Sequence, residues 1–306
     1  MLGVSIRQIA ELAGGSRGTV DRALNNRAGI APEIRAKIKQ IAYEQEYRSN
    51  RAGRALGLNK SPLKIGIQMP AEGNDFFIDV TGGIDQAARE LADYGLSVSV
   101  RTMKGYDAET QIRQVRELVA EGVDGLAIVP IDCPAIRQLF DDLSGSSLPV
   151  IAFNTDMTDG KRLCYIGNDY LLSGRIAAGV LGLASGGAAL DTLIITGSTQ
   201  ILGHNQRIAG FHSTIRSHYP RIRVIDIEEN QDDDETSYRH VEKWLATGKP
   251  FQALYLTAGG VAGACRALEQ HDPGKSVKVI CFDQVRSAAR YHQSGLITAS
   301  IGQDPW

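Results

Sequence analysis

The chain has 306 residues, enough for two or three compact units with their own cores. Hydrophobic residues make up 43 % and charged residues 22 %, the balance of a globular protein, and no apolar run approaches the roughly 18 residues of a membrane span. The net charge of −2 hides an asymmetry: the first sixty residues hold eleven Lys/Arg against five Asp/Glu, so they carry +6 and the remainder −8. A basic head on an acidic body fits a chain whose head alone meets phosphate, although a basic surface without a partner has the same composition. Arg7 and Gln8 interrupt the first apolar stretch, so Met1–Ala10 does not read as a secretory signal. Cys133, Cys164, Cys265 and Cys281 form no C-x-x-C pair, which points to buried free thiols in a reducing cytosol rather than zinc or disulfides.

In chain order, Ser5-Ile6-Arg7-Gln8 reads as a capping box, and Ile6, Ile9, Ala10 and Ala13 make one apolar stripe at helical spacing. Gly14-Gly15 ends that helix. Ser16 caps a second, short helix with Val20 and Leu24 inward and Thr19 and Ala23 beside them. After the loop Asn25–Gly29, Pro32 opens a third helix running to about Tyr47, with Ile34, Ile38, Ile41 and Ala42 as its buried face. Three short helices with a Gly-containing turn between the first two are a helix-turn-helix candidate, and a three-helix miniature domain that binds protein fits the same pattern. In the DNA-binding motif the second helix lies in the major groove, and arginine there can clasp guanine through a bidentate fork.

Val4 to Asn25 resembles, in order and spacing, the head of the lac repressor family, whose pattern runs V-T-x-x-x-V-A-x-x-A-G-V-S-x-x-T-V-S-R-x-L-N. The resemblance implies that double-stranded operator DNA is a partner. Arg17, Gly18 and Arg22 would read bases and Thr19 would hold a phosphate, with Ser5, Ser16 and Asn25 completing the DNA-facing set. Asp21 replaces a usual serine near the DNA backbone, where an acid repels phosphate, and Gly18 offers no side chain. Tyr47–Leu56 resembles the family's Y-x-P-N-x-x-A-R-x-L hinge. By that resemblance Asn50 and Arg54 face DNA, and Leu56 wedges into the minor groove, where an apolar side chain between base steps kinks the duplex. A plain polar linker is the other reading of this segment. The boundaries expected are a helix-turn-helix domain over 1–48, a hinge over 49–61 and a body over 62–306.

From Pro62 the rhythm changes. Strands are expected at 64–69, 96–101, 125–129, 149–153, 192–196, 223–227, 253–257, 277–282 and 297–301, and helices at 77–94, 108–121, 135–143, 205–218, 235–246 and 261–269. Alternating apolar strands and helices imply parallel sheets covered on both faces, with ligands bound beyond the carboxyl ends of the strands. No G-x-G-x-x-G follows the first strand, and P-loop, H-E-x-x-H and G-x-S-x-G patterns are missing, so neither an enzyme nor a cofactor or metal site is expected. His204, His212, His218 and His240 read as surface or capping residues.

Several strand-end segments resemble ribose-type periplasmic sugar-binding proteins, whose fold the lac-type repressors share. The fold class implied is an all-α helix-turn-helix head plus an α/β periplasmic-binding-protein-like body of two doubly wound parallel-sheet lobes. Asn74-Asp75-Phe76-Phe77 resembles an N-x-F-F segment that touches sugar. Asn154-Thr155-Asp156 ends the strand that bears a ligand-facing acid. Gly203–Phe211, with Asn205 and Arg207, contains an R-x-x-G-F core, Phe282-Asp283 resembles an F-D that grips hydroxyls, and Gln303 lies in the closing stretch. Carboxylates and amides suit vicinal hydroxyls, and aromatic faces suit the apolar side of a sugar ring. Each residue also has a plainer role open to it. Asp283 fits a helix cap, Arg207 a salt-bridged brace, one of Phe76 and Phe77 the core, and Asn154, Asp156 and Asn205 turns.

Two departures stand out. Leu256–Gly260 lacks the N-D pair that relatives place after that strand. The resemblance also implies a further helix and a returning strand beyond Trp306, so either the chain is truncated or the second lobe is incomplete. The function expected is a sequence-specific transcriptional regulator, a repressor by family default. It is expected in the cytoplasm, without a membrane partner, pairing as a homodimer on a near-palindromic site and controlled by a small sugar or polyol. A solute-binding protein of transport and a carbohydrate-active enzyme with an accessory head are the alternatives.

Overall fold

The computed structural model describes residues 6–24, 27–45, 62–248, 251–272, 274 and 276–303. Ser5, Asn25, the whole hinge with Asn50, Arg54 and Leu56, and the last three residues lie outside the described residues. Two compact units are present, a head within Met1–Pro62 and a body within Leu63–Trp306.

The head holds three helices, α1 (Ile6–Ala13), α2 (Arg17–Leu24) and α3 (Pro32–Glu44). Their apolar stripes meet in a small core of Ile9, Ala10, Val20, Ala23 and Ile38, edged by Ile6, Ala13, Leu24, Ile30 and Ile41. Ile34 is not part of it. It is half exposed, because the buried stripe of α3 narrows to Ile38 and Ala42 against two short partners. The amide of Gly15 donates to Ala10 O at 2.9 Å, which closes α1 at the expected Gly14-Gly15 break.

In the body the first lobe runs β1 (Leu63–Glu72), α4 (Phe76–Ala92), β2 (Leu96–Lys104), α5 (Ala108–Ala120), β3 (Gly125–Ile128), α6 (Pro134–Gly145), β4 (Val150–Phe153) and β5 (Tyr165–Ile166). The second runs α7 (Tyr170–Ala184), β6 (Leu190–Thr196), α8 (Leu202–His218), β7 (Ile222–Glu229), α9 (Asp234–Ala246), β8 (Ala253–Leu256), α10 (Val261–His271), β9 (Lys278–Phe282), a 3-10 turn (Arg286–Ala288), α11 (Ala289–Gln293) and β10 (Ala299–Ile301). Both sheets are parallel, with strand orders β2-β1-β3-β4-β5 and β7-β6-β8-β9-β10. The same order in each lobe puts one topological switch point between β1 and β3 and another between β6 and β8.

Three elements were not expected from the sequence: β5, α7 and the α11 segment. Helix α7 reads poorly because Gly174, Gly179 and Gly182 interrupt a nearly all-apolar run, so no amphipathic stripe marks it. The thiols also differ from expectation: Cys265 and Cys281 are buried, but Cys133 is only partly so and Cys164 is exposed. No helix among the described residues is long and apolar enough to cross a membrane.

One buried polar knot ties the first lobe together. Gln111, fully buried, donates through Nε2 to Gln68 Oε1 at 2.6 Å and to Val129 O at 2.9 Å, and its Oε1 accepts from the Ile131 amide at 3.0 Å. It thereby satisfies the backbone that leaves β3 toward the cleft. Gln111→Leu strands those groups in the interior, so the variant is expected to lose on the order of 3 kcal/mol in denaturant unfolding. An unchanged midpoint would show that the amide does not brace β3.

Candidate functional site

In the head, the described residues expected to face DNA lie on α2 and its cap. Ser16 Oγ accepts from the Thr19 amide at 3.1 Å and lies 2.9 Å from Thr19 Oγ1, so it caps the helix as expected. Arg17 and Gly18 open that helix and Arg22 lies in its last turn; all three are exposed, and Arg22 Nε reaches back to donate to Gly18 O at 3.2 Å. Asp21, the acid that departs from the family pattern, is paired with Arg27 at 3.3 Å. The pair blunts the repulsion that the acid would otherwise offer a phosphate, although both side chains are well exposed and the effect is screened.

In the body, the carboxyl ends of both sheets line a cleft of about 770 Å³, open mouth included. The structure brings Asn74, Phe76, Phe77, Asn154, Arg207, Asp283 and Gln303 to it. Phe77 is 3 % exposed and belongs to the first-lobe core. Phe76 meets it edge to face at 5.3 Å and is less buried. Arg207 is 4 % exposed. Its guanidinium carbon lies 3.6 Å from the Phe282 ring centre and 4.5 Å from that of Tyr170, and Nη1 donates to Thr257 O. Nη2 donates to Gln303 Oε1 at 3.3 Å, while Nε is buried with no partner among the described residues. Arg207 is therefore held by aromatic faces and carbonyl-type acceptors rather than by the salt bridge that sequence left open. Asp283 does not cap a helix. Its carboxylate accepts from the Gln303 amide at 3.3 Å and from Gln303 Nε2 at 3.0 Å. Burial pushes its pKa up, against the pull of Arg207.

Two expected residues are not in the cleft. Asp156 turns to Arg162 at 2.6 Å, a partner close enough in sequence to capture it. Asn205 is exposed and donates to Thr199 O at 2.7 Å, closing the turn before α8. One residue earlier, His204 occupies the interior that Asn205 was expected to reach, and it is neither a surface nor a capping residue.

Sequence reasoning missed Tyr106, Tyr170, His204 and Asp232. Tyr170 donates to Asn154 Oδ1 at 2.7 Å. Asp232 is 8 % exposed, accepts from Asn74 Nδ2 at 2.9 Å, and receives the Tyr106 hydroxyl. The signal for Asp232 was its place just after a strand end, where parallel sheets bind ligands. Asn154, Asp232 and Asp283 adopt φ of 59°, 59° and 60°, backbone strain that Asn and Asp tolerate best and that collects at ligand sites. Direct bonds join the lobes here: Asn74 and Tyr106 to Asp232, and the Gly203 amide to Thr155 Oγ1 at 2.9 Å.

Burial lowers the His204 pKa to about 4, with Asp232 pulling the other way. A histidine with its folded pKa below the unfolded value near 6.5 is stabilising when neutral, so the contribution is lost as pH falls from about 6.5 toward 4. Stability is expected to drop across that window in wild type and to drop less in His204→Asn, as read from unfolding curves at pH 7 and pH 4.5. Equal losses in both proteins would remove His204 as the cause. Among the described residues no group of His, Cys, Asp and Glu has the geometry to hold a metal ion.

Residues 65–306 match the periplasmic binding protein domain, and residues 5–50 match the lacI family of bacterial regulatory proteins. The "Probable HTH-type transcriptional repressor ExuR" of Bacillus subtilis is 29 % identical over 87 % of this chain and 76 % of its own length. The ribose import binding protein RbsB of the same species is 26 % identical over 81 % of this chain and 78 % of its own. The crystal structure of GanP, a glucose-galactose binding protein from Geobacillus stearothermophilus, superposes with a TM-score of 0.73 at 24 % identity over 80 % of this chain and 86 % of that one, which shows the shared fold. With an exposed arginine pair on a matched head and a polar cleft in a matched body, the chain belongs to the periplasmic binding protein domain family and is a DNA-binding transcriptional regulator of the lacI type.

Proposed function

We propose that the cleft binds a small sugar or polyol and that its occupancy sets the affinity of the head for operator DNA, with repression as the resting state. The observation that carries this reading is Arg207, fixed between the Phe282 and Tyr170 rings with a buried Nε that has no partner among the described residues. A ligand oxygen satisfies that donor, and Phe76 offers an aromatic face in the same cleft. Asn74, Asn154, Asp232 and Asp283 supply acceptors and donors to the same cleft, and they come from both lobes. A ligand exchanges the present bonds between lobes for bonds through itself, and that exchange is what can couple it to DNA. Such couplings are typically about 1–3 kcal/mol, or about 5–150-fold in affinity.

Two chains are proposed to pair, each head taking half of a near-palindromic site. The test measures affinity for a promoter fragment at fixed salt, with and without a ligand found by thermal shift, and the size of the protein in solution. Operator affinity that stays the same at saturating ligand sinks the coupling, and a monomer at micromolar concentration sinks the pairing. A transport role is the second reading, favoured by the likeness to the ribose import binding protein. The matched head argues against it, since an import receptor has no use for an exposed arginine pair on a helix-turn-helix.

A further inference from the structure

We infer that Asp232 selects the chemical class of effector, admitting a polyhydroxy ligand without negative charge and turning away sugar acids. The inference rests on the cleft reading given under Proposed function and adds to it the sign of the ligand's charge.

The route by which this carboxylate reaches the cleft is specific to the chain. After β8, where side chains would project into the site, Thr257 turns its hydroxyl to Thr196 and only Ala258, Gly259 and Gly260 follow. Asp232 fills that place from the neighbouring β7–α9 turn, its Oδ1 accepting from the Gly259 amide at 2.9 Å. A Cβ on Gly259 would lie 2.9 Å from Asp232 Cβ, and one on Gly197 would lie 2.4 Å from Asp232 Oδ1. Both glycines therefore keep the room that the carboxylate occupies. Its backbone is held in the left-handed region at φ 59°, with the amide bound to Asn230 Oδ1 at 2.9 Å. Asn230 is fully buried and spans to Ser237 and to Gly259 O, so the turn is anchored from both sides. Strain, two glycines and a buried asparagine all serve to present one acid.

The partners of Asp232 show what it takes. It accepts from Asn74 and Tyr106, both on the opposite lobe, so its oxygens are already used as acceptors for donors arriving across the cleft. Ligand hydroxyls and amines bring donors of that kind. A ligand carboxylate brings none, and it would face Asp75, Asp232, Asp234 and Asp283 against the single guanidinium of Arg207. His204 does not redress the balance, because burial keeps it neutral. Arg207 Nε still calls for an acceptor, and a hydroxyl oxygen meets that need while its own proton goes to a carboxylate. A polyol therefore suits both signs of group in the cleft, and a sugar acid suits only Arg207.

The test is calorimetric titration of the full chain at pH 7.5 with D-ribose, D-glucose, D-galactose, myo-inositol, D-glucosamine, D-glucuronate and D-galacturonate. The expected result is at least tenfold tighter binding of an uncharged or amine-bearing compound than of the matching uronate. Asp232→Asn, which keeps the shape and removes the charge, is expected to narrow that ratio at least fivefold. Asp226→Asn, an exposed acid on β7, is expected to leave it unchanged. Should Asp232→Asn fail to fold, the wild-type ratio is read at 0.05 and 0.5 M salt, where screening of a true charge barrier narrows it. Wild-type protein that takes a uronate as tightly as its neutral parent overturns the inference and leaves the cleft reading standing. So does a ratio indifferent to both Asp232→Asn and salt. A protein that takes none of the seven overturns both.

Discussion

Replacing Arg17 and Arg22 together with alanine is expected to weaken binding to a promoter fragment by roughly a hundredfold or more at fixed salt. A bidentate arginine on a base edge is worth about 1–3 kcal/mol, and two such losses multiply. Both side chains on α2 are exposed, and neither contributes to the core formed by Ile9, Val20 and Ile38, so the head should still fold. The slope of affinity against salt separates two origins. A lost phosphate contact lowers the slope by about one, whereas a lost base contact leaves it and relaxes sequence preference. Arg89→Ala, an exposed arginine on α4 of the body, is the control and should change neither. Full affinity in the double variant would remove α2 as the reading helix.

Gly174→Ala is expected to be strongly destabilising for so small a change. A Cβ at Gly174 would lie 2.0 Å from the carbonyl oxygen of Arg207, and one at Gly210 would lie 2.1 Å from that of Leu171. Helices α7 and α8 thus meet backbone to backbone, through glycine on each side. The obstructing atoms are carbonyls, which cannot rotate out of the way. Alanine favours the helix over glycine by about 1 kcal/mol, but overpacking a core costs about 1–3 kcal/mol and sometimes more. Here the clash wins, because a contact at 2.0 Å can be relieved only by moving a helix. The expected fall in melting temperature is about 5 °C, at about 2–4 °C per kcal/mol for a unit of this size. Because the displaced turn carries Arg207, ligand-induced stabilisation should fall as well. An unaltered melting temperature would show that the two helices are further apart.

The sequence made some of this legible and not the rest, for physical reasons. The alternation of apolar strands and amphipathic helices was clear, since a parallel sheet buried on both faces leaves near-continuous apolar runs such as Leu193–Ile195. Helix α7 was not, because its polar face is almost missing and its glycines serve packing rather than a turn. The site divided in the same way. Asn74, Arg207 and Asp283 lie in segments with a recognisable local pattern. Tyr106, Tyr170 and Asp232 lie in segments without one, and each reaches the cleft through tertiary placement alone. Asp156 shows the converse error: a residue in a suggestive segment whose carboxylate was taken by Arg162 six positions on. Spacing identifies which turn bears a side chain, but a nearby arginine decides where that side chain goes.

Because every strand in both sheets runs the same way, α4, α8, α9 and α10 all begin at the cleft, where Phe76, Gly203, Asp234 and Val261 line it. Each such beginning is the positive end of a helix dipole, worth roughly half a positive charge. Four of them supply a diffuse cationic background that belongs to the main chain and cannot be mutated away. That background offsets part of the mutual repulsion of the acids gathered beside one arginine. Amidating the acids one after another should therefore do more than empty the pocket of charge: with the backbone field left unopposed, the same cavity should turn into a trap for anions.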